Sequence, residues 1–268
     1  MKRLKKLAFT IPVLLLGLIV MVYAGNSLFE TKQIQREGST VYEDLSYRVK
    51  KTAVVDHPLP QAVGIADTDF PSPQAEKTPI YIPDFEIDFE GLKTMNSDAA
   101  AWLYSPDTVI DYPVMKADDY YYYLNHLVDG TVNANGTLFI DYNNSPDFSG
   151  RLTVIYGHHM KSGMMFGSLV GYKSQEYYDD HPYMYLYTEH MAHRIDIMYG
   201  IVIGAGQWRE QAFMYEENLD ALLAYAMRNT TFDSGIEYED GDRIVVLSTC
   251  SYEFDNARYV VLGILRSN

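Results

Sequence analysis

The distribution of apolar and polar residues separates an N-terminal segment from the rest of the chain. Residues 7–24 are almost all apolar, and four basic residues precede them: Lys2, Arg3, Lys5 and Lys6. A basic cluster followed by an apolar run is typical of a signal peptide or a signal anchor, and the run approaches the roughly 20 residues that a helix needs to cross a bilayer. The pattern predicts a cytoplasmic basic end and a signal-anchor helix over residues 1–24, with the remainder exported. Cleavage after Ala24 is the alternative.

The segment after this helix has a different character. Residues 25–78 are polar with scattered apolar positions, and six of the eleven prolines fall between residues 58 and 83. Proline-rich stretches interrupt regular structure and mark linkers. The segment is therefore predicted to be a partly helical stalk followed by a linker, and residues 79–268 are predicted to form the folded domain.

Short β-rich runs dominate that domain. Residues 84–90 alternate acidic and apolar side chains, a period of two that predicts an edge strand. Further strand candidates are residues 108–114, 136–141, 152–156, 183–188, 194–203, 242–249 and 258–265. Residues 218–228 instead repeat apolar positions at helical spacing, which predicts an amphipathic helix. Many short strands with few helices favour a mainly β fold, a barrel with peripheral helices.

Charge and cysteine content narrow the class of protein. The chain has 21 Lys and Arg against 36 Asp and Glu, a net charge of −15, which argues against nucleic acid or anionic lipid as a direct partner. Cys250 is the only cysteine, so an intrachain disulfide is excluded. A single thiol in an exported protein indicates intermolecular pairing or a reactive group, and a buried, unreactive cysteine is the alternative.

Three residues combine into a candidate catalytic group. Cys250 ends one predicted strand and Arg258 opens the next, so an antiparallel pairing of the two strands would put both residues side by side at one rim of the sheet. His158 follows the strand over residues 152–156. An imidazole can take the proton of a thiol and later deliver it to a departing amine, and a guanidinium stays charged and can stabilise an oxyanion. The set is therefore suited to acyl transfer through a thioester.

The residues around this group resemble the motifs of the sortase family. Residues 247–250 (Leu-Ser-Thr-Cys) resemble the signature Thr-Leu-x-Thr-Cys, with Arg258 eight residues on, and residues 156–160 (Tyr-Gly-His-His-Met) resemble the histidine motif of class B sortases. Further matches to that class, in the expected order, are residues 96–98 with Trp102, 110–114, 165–169 and 249–254. The resemblance covers residues 80–268.

This resemblance implies an eight-stranded sortase-type β-barrel and a cysteine transpeptidase without a cofactor. It implies that Cys250 attacks the carbonyl after the Thr of a C-terminal sorting signal, that His158 carries protons, and that Arg258 steadies substrate and oxyanion. The implied partners are the sorting-signal peptide of a secreted protein and an acceptor amine of a peptidoglycan precursor or a pilin. The implied location is the outer face of the cell membrane of a Gram-positive-type bacterium.

Two positions depart from the family pattern, and three further residues near the site are given a secondary role or none. Val246 stands where the signature has Thr, and Tyr252 stands where some class B members have Asp, which favours a Cys-His-Arg site. His159 points away from its neighbour on an extended segment and is expected to be a packing or surface residue. The candidates for substrate binding are Ser248 and Thr249, although a strand serine facing solvent is an alternative for the former.

Other functions stay open. The enzyme alternative is an exported cysteine peptidase that only hydrolyses, and the non-enzyme alternative is an inactive anchored binding module with a buried cysteine. A paired-histidine metal site is disfavoured, because zinc needs further ligands at suitable spacing. The remaining histidines form no such set: His57, His126, His181, His190 and His193.

Overall fold

The computed structural model describes the backbone of residues 2–52 and 80–267, with the side chains of residues 17–51 and 80–267. Residues 53–78 of the predicted stalk and linker, and the domain boundary placed at residue 79, lie outside the described residues. None of the helices in the described part is long and apolar enough to cross a membrane. The signal-anchor helix over residues 1–24 stays a prediction.

The described residues form ten strands and five α-helices. The strands are β1 Lys50–Thr52, β2 Phe85–Ile87, β3 Ala99–Tyr104, β4 Asp111–Lys116, β5 Leu138–Ile140, β6 Leu152–Tyr156, β7 Tyr183–Thr188, β8 Ala192–Gly204, β9 Ile244–Cys250 and β10 Ala257–Arg266. The helices are α1 Lys2–Val49, α2 Phe89–Met95, α3 Gln175–Asp180, α4 Ala205–Glu210 and α5 Leu219–Asn229. Short 3₁₀ turns cover Tyr122–Leu124, Gly167–Lys173 and Glu216–Asn218.

Eight of the strands close into a barrel. Their order is β10-β8-β7-β3-β4-β5-β6-β9, and β9 pairs again with β10. The β4–β5 and β6–β9 pairs are parallel, and the other neighbours are antiparallel. The predicted eight-stranded, mainly β barrel is confirmed. β1 and β2 form a separate antiparallel ladder. The edge strand predicted over residues 84–90 is strand only at Phe85–Ile87, because α2 begins at Phe89 after the Asp88 cap.

One barrel strand, β3, was not predicted from the sequence. β3 begins with three alanines, a residue type with low strand propensity, so its composition does not indicate a strand. Its place between β4 and β7 decides its conformation, and Trp102 at its centre is fully buried. The indole Nε1 of Trp102 donates a hydrogen bond of 2.7 Å to the Asp111 carboxylate on β4, which satisfies a donor that would otherwise be costly to bury.

The C-terminal part of α1 packs against the barrel. Tyr42, Leu45 and Val49 follow one another at helical spacing and are buried in the core. The Tyr42 hydroxyl donates to the Gly136 carbonyl at 2.5 Å. The segment predicted as a stalk is helical through Val49, and its last turns belong to the folded core.

The predicted amphipathic helix over residues 218–228 is confirmed as α5. It lies in the long connection between β8 and β9, and its buried side chains are Leu219, Leu222, Leu223 and Ala226. Because this helix packs against β8, the connection is held to the barrel wall beside the strands that carry Cys250 and Arg258.

Candidate active site

Cys250 and Arg258 lie directly opposite each other. Seven consecutive residue pairs join β9 to β10, and the first of them pairs Arg258 with Cys250. Directly opposite residues of an antiparallel pair point to the same face, with Cβ atoms about 4.5–5.5 Å apart. The side-by-side placement expected from the spacing is therefore observed. Cys250 is the last residue of β9, and its free thiol is exposed.

His158 follows β6, which pairs with β9 on the side opposite to β10. The parallel β6–β9 ladder ends with Tyr156 opposite Ser248, and the Gly157 amide still donates to the Ser248 carbonyl at 3.2 Å. His158 follows in the loop after β6, and the ring of its neighbour His159 contacts the Cys250 main chain. The three residues named from the sequence thus lie at one edge of the barrel, Cys250 and Arg258 as a ladder pair and His158 in the adjoining loop; we call these three residues the row.

The His158 ring is oriented by a main-chain carbonyl. Its Nε2 lies 2.7 Å from the Leu124 carbonyl oxygen, which belongs to a 3₁₀ turn 34 residues earlier in the chain. A carbonyl oxygen only accepts hydrogen bonds, so Nε2 carries the hydrogen in this arrangement. Nδ1 is then the ring nitrogen that is left to exchange a proton.

Two buried polar atoms, one on Arg258 in this row and one on Ser248 beside it, have no hydrogen-bond partner among the described residues. Arg258 Nε and Ser248 Oγ are both buried, and neither makes a hydrogen bond within the described residues. Leaving a buried donor or acceptor unpaired costs about 1–3 kcal/mol, so such atoms call for an explanation. A bound peptide supplies both carbonyl and amide groups and would satisfy them.

The guanidinium of Arg258 also acts on a neighbouring tyrosine. Burial, and then the nearby Asp141 carboxylate, raise the pKa of the Tyr156 hydroxyl well above its usual value, while the Arg258 charge acts in the opposite direction. Tyr156 donates to Asp141 at 2.8 Å, and Tyr120 donates to the same carboxylate at 3.0 Å. A tyrosine–carboxylate cluster therefore borders the row, and no local pattern indicates it because its members are scattered in the chain.

Thr249 links β9 to the chain directly after β6. Its side chain is buried, and its hydroxyl donates to the Gly157 carbonyl at 2.8 Å. Gly157 has no space for a larger residue, because a Cβ there would lie 2.4 Å from a Leu138 methyl carbon. The contact fixes the chain directly before His158, and the substrate-binding role named for Thr249 and Ser248 stays a prediction.

His159 makes a contact that sequence reasoning missed. Its Nδ1 lies 2.8 Å from the main-chain carbonyl oxygen of Cys250, and its half-buried ring packs against Tyr252 with centroids 4.8 Å apart. The expectation of a packing or surface residue covers the Tyr252 contact but not the hydrogen bond. No pattern in the sequence could indicate it, since the two residues are 91 positions apart.

The loop after Cys250 is held by charged and polar side chains. Lys173 forms an ion pair with Glu253 and donates to the Ser251 hydroxyl at 3.1 Å, and Ser251 in turn donates to Glu253. Burial opposes ionisation of Glu253, but the hydrogen bonds from Lys173 and Ser251 outweigh it, and the pKa of Glu253 is lowered. The loop is thus fixed to the 3₁₀ turn Gly167–Lys173. Among all the described residues, no group of three His, Cys, Asp or Glu side chains is arranged to hold a metal ion.

The chain is similar in sequence and in fold to known proteins. No protein-family model matches the chain. Sortase B of Listeria monocytogenes is 31% identical over 181 residues, which cover 64% of this chain and 71% of the relative. Among solved structures, sortase B of Clostridium perfringens is 28% identical with a TM-score of 0.62, over 67% of this chain and 100% of that one. A Streptococcus pyogenes class B sortase involved in pilus biogenesis is 26% identical with a TM-score of 0.61, over 67% and 98%.

Proposed function

The chain belongs to the class B sortases, and we propose that it is a transpeptidase that cleaves the sorting signal of secreted proteins after Thr and joins the acyl fragment to an amine. The observation that carries the proposal is the ladder pair of Cys250 and Arg258, with His158 in the loop that follows the adjacent strand β6. A thiol, an imidazole and a guanidinium at one edge of the barrel suit acyl transfer through a thioester.

The proposed reaction has two halves. The Cys250 thiolate attacks the carbonyl after Thr, and the resulting oxyanion is stabilised by Arg258, whose Nε has no other partner in the described structure. His158 gives a proton to the departing amine, and the thioester forms. The incoming amine loses a proton to His158 and attacks the thioester carbonyl, and Cys250 leaves as the thiolate, so both groups return to their starting protonation states.

Several properties of this reaction are proposals that rest on the family. The acceptor is an amine of a peptidoglycan precursor or a pilin, and the enzyme acts outside the cell, held at the membrane by the N-terminal helix. One solved sortase B is a complex with triglycine, and a sortase B of Staphylococcus aureus has been solved as a substrate complex. These complexes support a peptide donor and an amine acceptor as the chemistry to test for this chain.

The test uses the full chain, purified in a mild detergent, with quenched sorting-signal peptides and a triglycine acceptor. We expect the wild-type protein to release the quencher and form the triglycine-ligated peptide, and Cys250→Ala to abolish both products. Cleavage that yields only the free acid, at every triglycine concentration, would contradict transpeptidation and favour the hydrolytic peptidase. Equal inactivity of both proteins across the panel, together with a Cys250 that resists thiol reagents, would favour the binding module.

A matched control separates loss of the thiol from loss of the fold. Ser251→Ala changes the adjacent residue, whose hydroxyl contacts Lys173 and Glu253. We expect this variant to retain ligation and Cys250→Ala to retain the melting temperature of the wild type.

A further inference from the structure

The main-chain carbonyl of Cys250 lies where a ladder hydrogen bond is missing. In the parallel β6–β9 pair, the Ser248 carbonyl accepts from the Gly157 amide. Carbonyls on one side of a strand recur every second residue, so the next acceptor is the Cys250 carbonyl and its ladder donor would be the amide of residue 159. β6 ends at Tyr156, however, and the chain turns away from β9.

The imidazole of His159 occupies the place of that missing donor. Its Nδ1 lies 2.8 Å from the Cys250 carbonyl oxygen, so the side chain replaces the amide of the same residue. The main chain of His159 pairs with Met165 in an isolated bridge instead of with β9. The Tyr252 ring packs against the imidazole, and the Tyr252 hydroxyl approaches the His159 carbonyl at 3.5 Å. The ring is thereby supported in the orientation that the hydrogen bond requires.

This contact restrains the peptide unit that follows the thiol. On one side, the Ser251 amide donates to the Ala257 carbonyl at 2.8 Å. On the other side, His159 donates to the Cys250 carbonyl. A peptide unit held at both its N–H and its C=O cannot rotate freely, and its orientation determines the direction of the Cys250 side chain relative to Arg258 and His158.

We propose that His159 is a positioning residue of the transpeptidase, in which the Nδ1–H···O=C bond to Cys250 holds the thiol in line with His158 and Arg258. The inference rests on the proposed function, since it assigns His159 to the same reaction. It differs from the role of His158, because His159 exchanges no proton with substrate and acts only through the main chain of the nucleophile. Loss of the bond misplaces the thiol without removing a group that contacts the peptide, so kcat falls and KM does not.

Two substitutions separate the hydrogen bond from the ring. His159→Asn keeps an N–H donor at the δ position and removes most of the ring contact with Tyr252. His159→Phe keeps a ring of similar size and removes the donor. We expect His159→Phe to lower kcat for peptide ligation by about tenfold, the order expected for one misaligned hydrogen-bonded group, with KM within about twofold. His159→Asn is expected to retain kcat within about threefold of the wild type.

A second readout does not depend on the sorting peptide. Because Cys250 is the only cysteine, the rate of alkylation by iodoacetamide reports on this thiol alone. We expect His159→Phe to change that rate by about threefold or more between pH 6 and 9, and His159→Asn to follow the wild-type profile. Melting temperatures of both variants identify any general loss of folding.

The two readouts distinguish failure of the positioning role from failure of the proposed function. Equal kcat and equal alkylation rates in all three proteins would overturn the positioning role, and so would a His159→Asn variant as impaired as His159→Phe. If the wild type ligates no peptide while the alkylation rates differ as expected, the proposed function fails and the positioning of Cys250 by His159 stands.

Discussion

The two sides of the active site are held in place in different ways. Cys250 and Arg258 belong to the β9–β10 ladder, where seven consecutive pairs fix their relation. His158 and His159 lie beyond the end of β6, and their rings are held by the carbonyls of Leu124 and Cys250. We call Cys250 and Arg258 the strand side of the site, and His158 and His159 the loop side. A repeating ladder thus places one half of the proposed catalytic group, whereas contacts between distant segments place the other.

The loop side depends on the N-terminal helix. The Tyr42 ring of α1 packs edge to face against Tyr112, with centroids 5.3 Å apart. The Tyr112 hydroxyl accepts a 3.3 Å hydrogen bond from the Met165 amide, and Met165 bridges to His159. Met165 has a left-handed backbone (φ 53°), a conformation that is unfavourable for a residue with a side chain and persists where the surroundings enforce it. The helix therefore supports the loop that carries both histidines.

The largest effect is expected from removing the Tyr42 ring, which tests whether α1 supports the loop that carries both histidines. Tyr42→Ala removes a buried ring and its hydrogen bonds to Gly136 and Thr137. We expect the free energy of unfolding to fall by about 3–5 kcal/mol, as for other large-to-small aromatic substitutions in cores. Hydrogen exchange followed by mass spectrometry should show faster exchange in residues 157–166 than in the wild type, with β9 and β10 less affected.

A tyrosine on the same helix serves as the control. Tyr47 is 86% exposed, whereas Tyr42 is 2% exposed. Tyr47→Ala is expected to change the free energy of unfolding by no more than about 0.5 kcal/mol. If Tyr42→Ala loosens β9 as much as residues 157–166, the distinction between the strand side and the loop side is wrong.

The strand side is tested by a conservative change of its cation. Arg258→Lys keeps the positive charge and removes the buried Nε and the planar guanidinium. We expect kcat for peptide ligation to fall about 100- to 1000-fold, the range for loss of one oxyanion donor, without faster exchange in residues 157–166. The control is Arg266→Lys at the far end of the same strand, where Arg266 pairs with Asp196 and Asp242. Equal kcat values for the two variants would contradict a role for Arg258 in stabilising the oxyanion.

The smallest effect concerns a histidine remote from both sides. Burial, and then the Arg243 charge, lower the pKa of His193 from 6.5 to about 4, and its Nδ1 lies 2.8 Å from the Ser267 hydroxyl. The unfolded chain takes up this proton at a higher pH than the folded protein, so the stability contribution is lost as the pH falls from 6.5 towards 4. The melting temperature should decline over this range and decline less in His193→Gln.

His193 lies at the start of β8, whereas Arg258 pairs with Ile203 near the end of that strand. The kcat of the folded enzyme should therefore have the same pH profile in His193→Gln as in the wild type. A changed profile would show that the barrel end and the active site are coupled. Identical melting curves for the two proteins between pH 5 and 7 would contradict the lowered pKa.

The sequence alone determined the elements that follow a repeating local pattern of residues. Strand-like runs predicted β6 and β7 with their observed bounds and β9 and β10 to within two residues. Antiparallel pairing of the last two strands then put Cys250 beside Arg258, because in a ladder the spacing along the chain fixes the neighbour across it. The helical period of residues 218–228 likewise predicted α5. Each of these inferences needs only local pattern and the geometry of one regular element.

Only the tertiary structure decided the features that bring distant segments together. β3 is a strand because it lies between two others, despite its alanines. The His158–Leu124 and His159–Cys250 hydrogen bonds, like the packing of Tyr42 against Tyr112, join residues that are 34 to 91 positions apart. Such contacts have no period, since they depend on how loops and the helix pack once the barrel has closed. The sequence therefore singled out His158 as the candidate catalytic histidine, and the packing determined which of its ring nitrogens has no main-chain partner and that His159 contacts the Cys250 carbonyl.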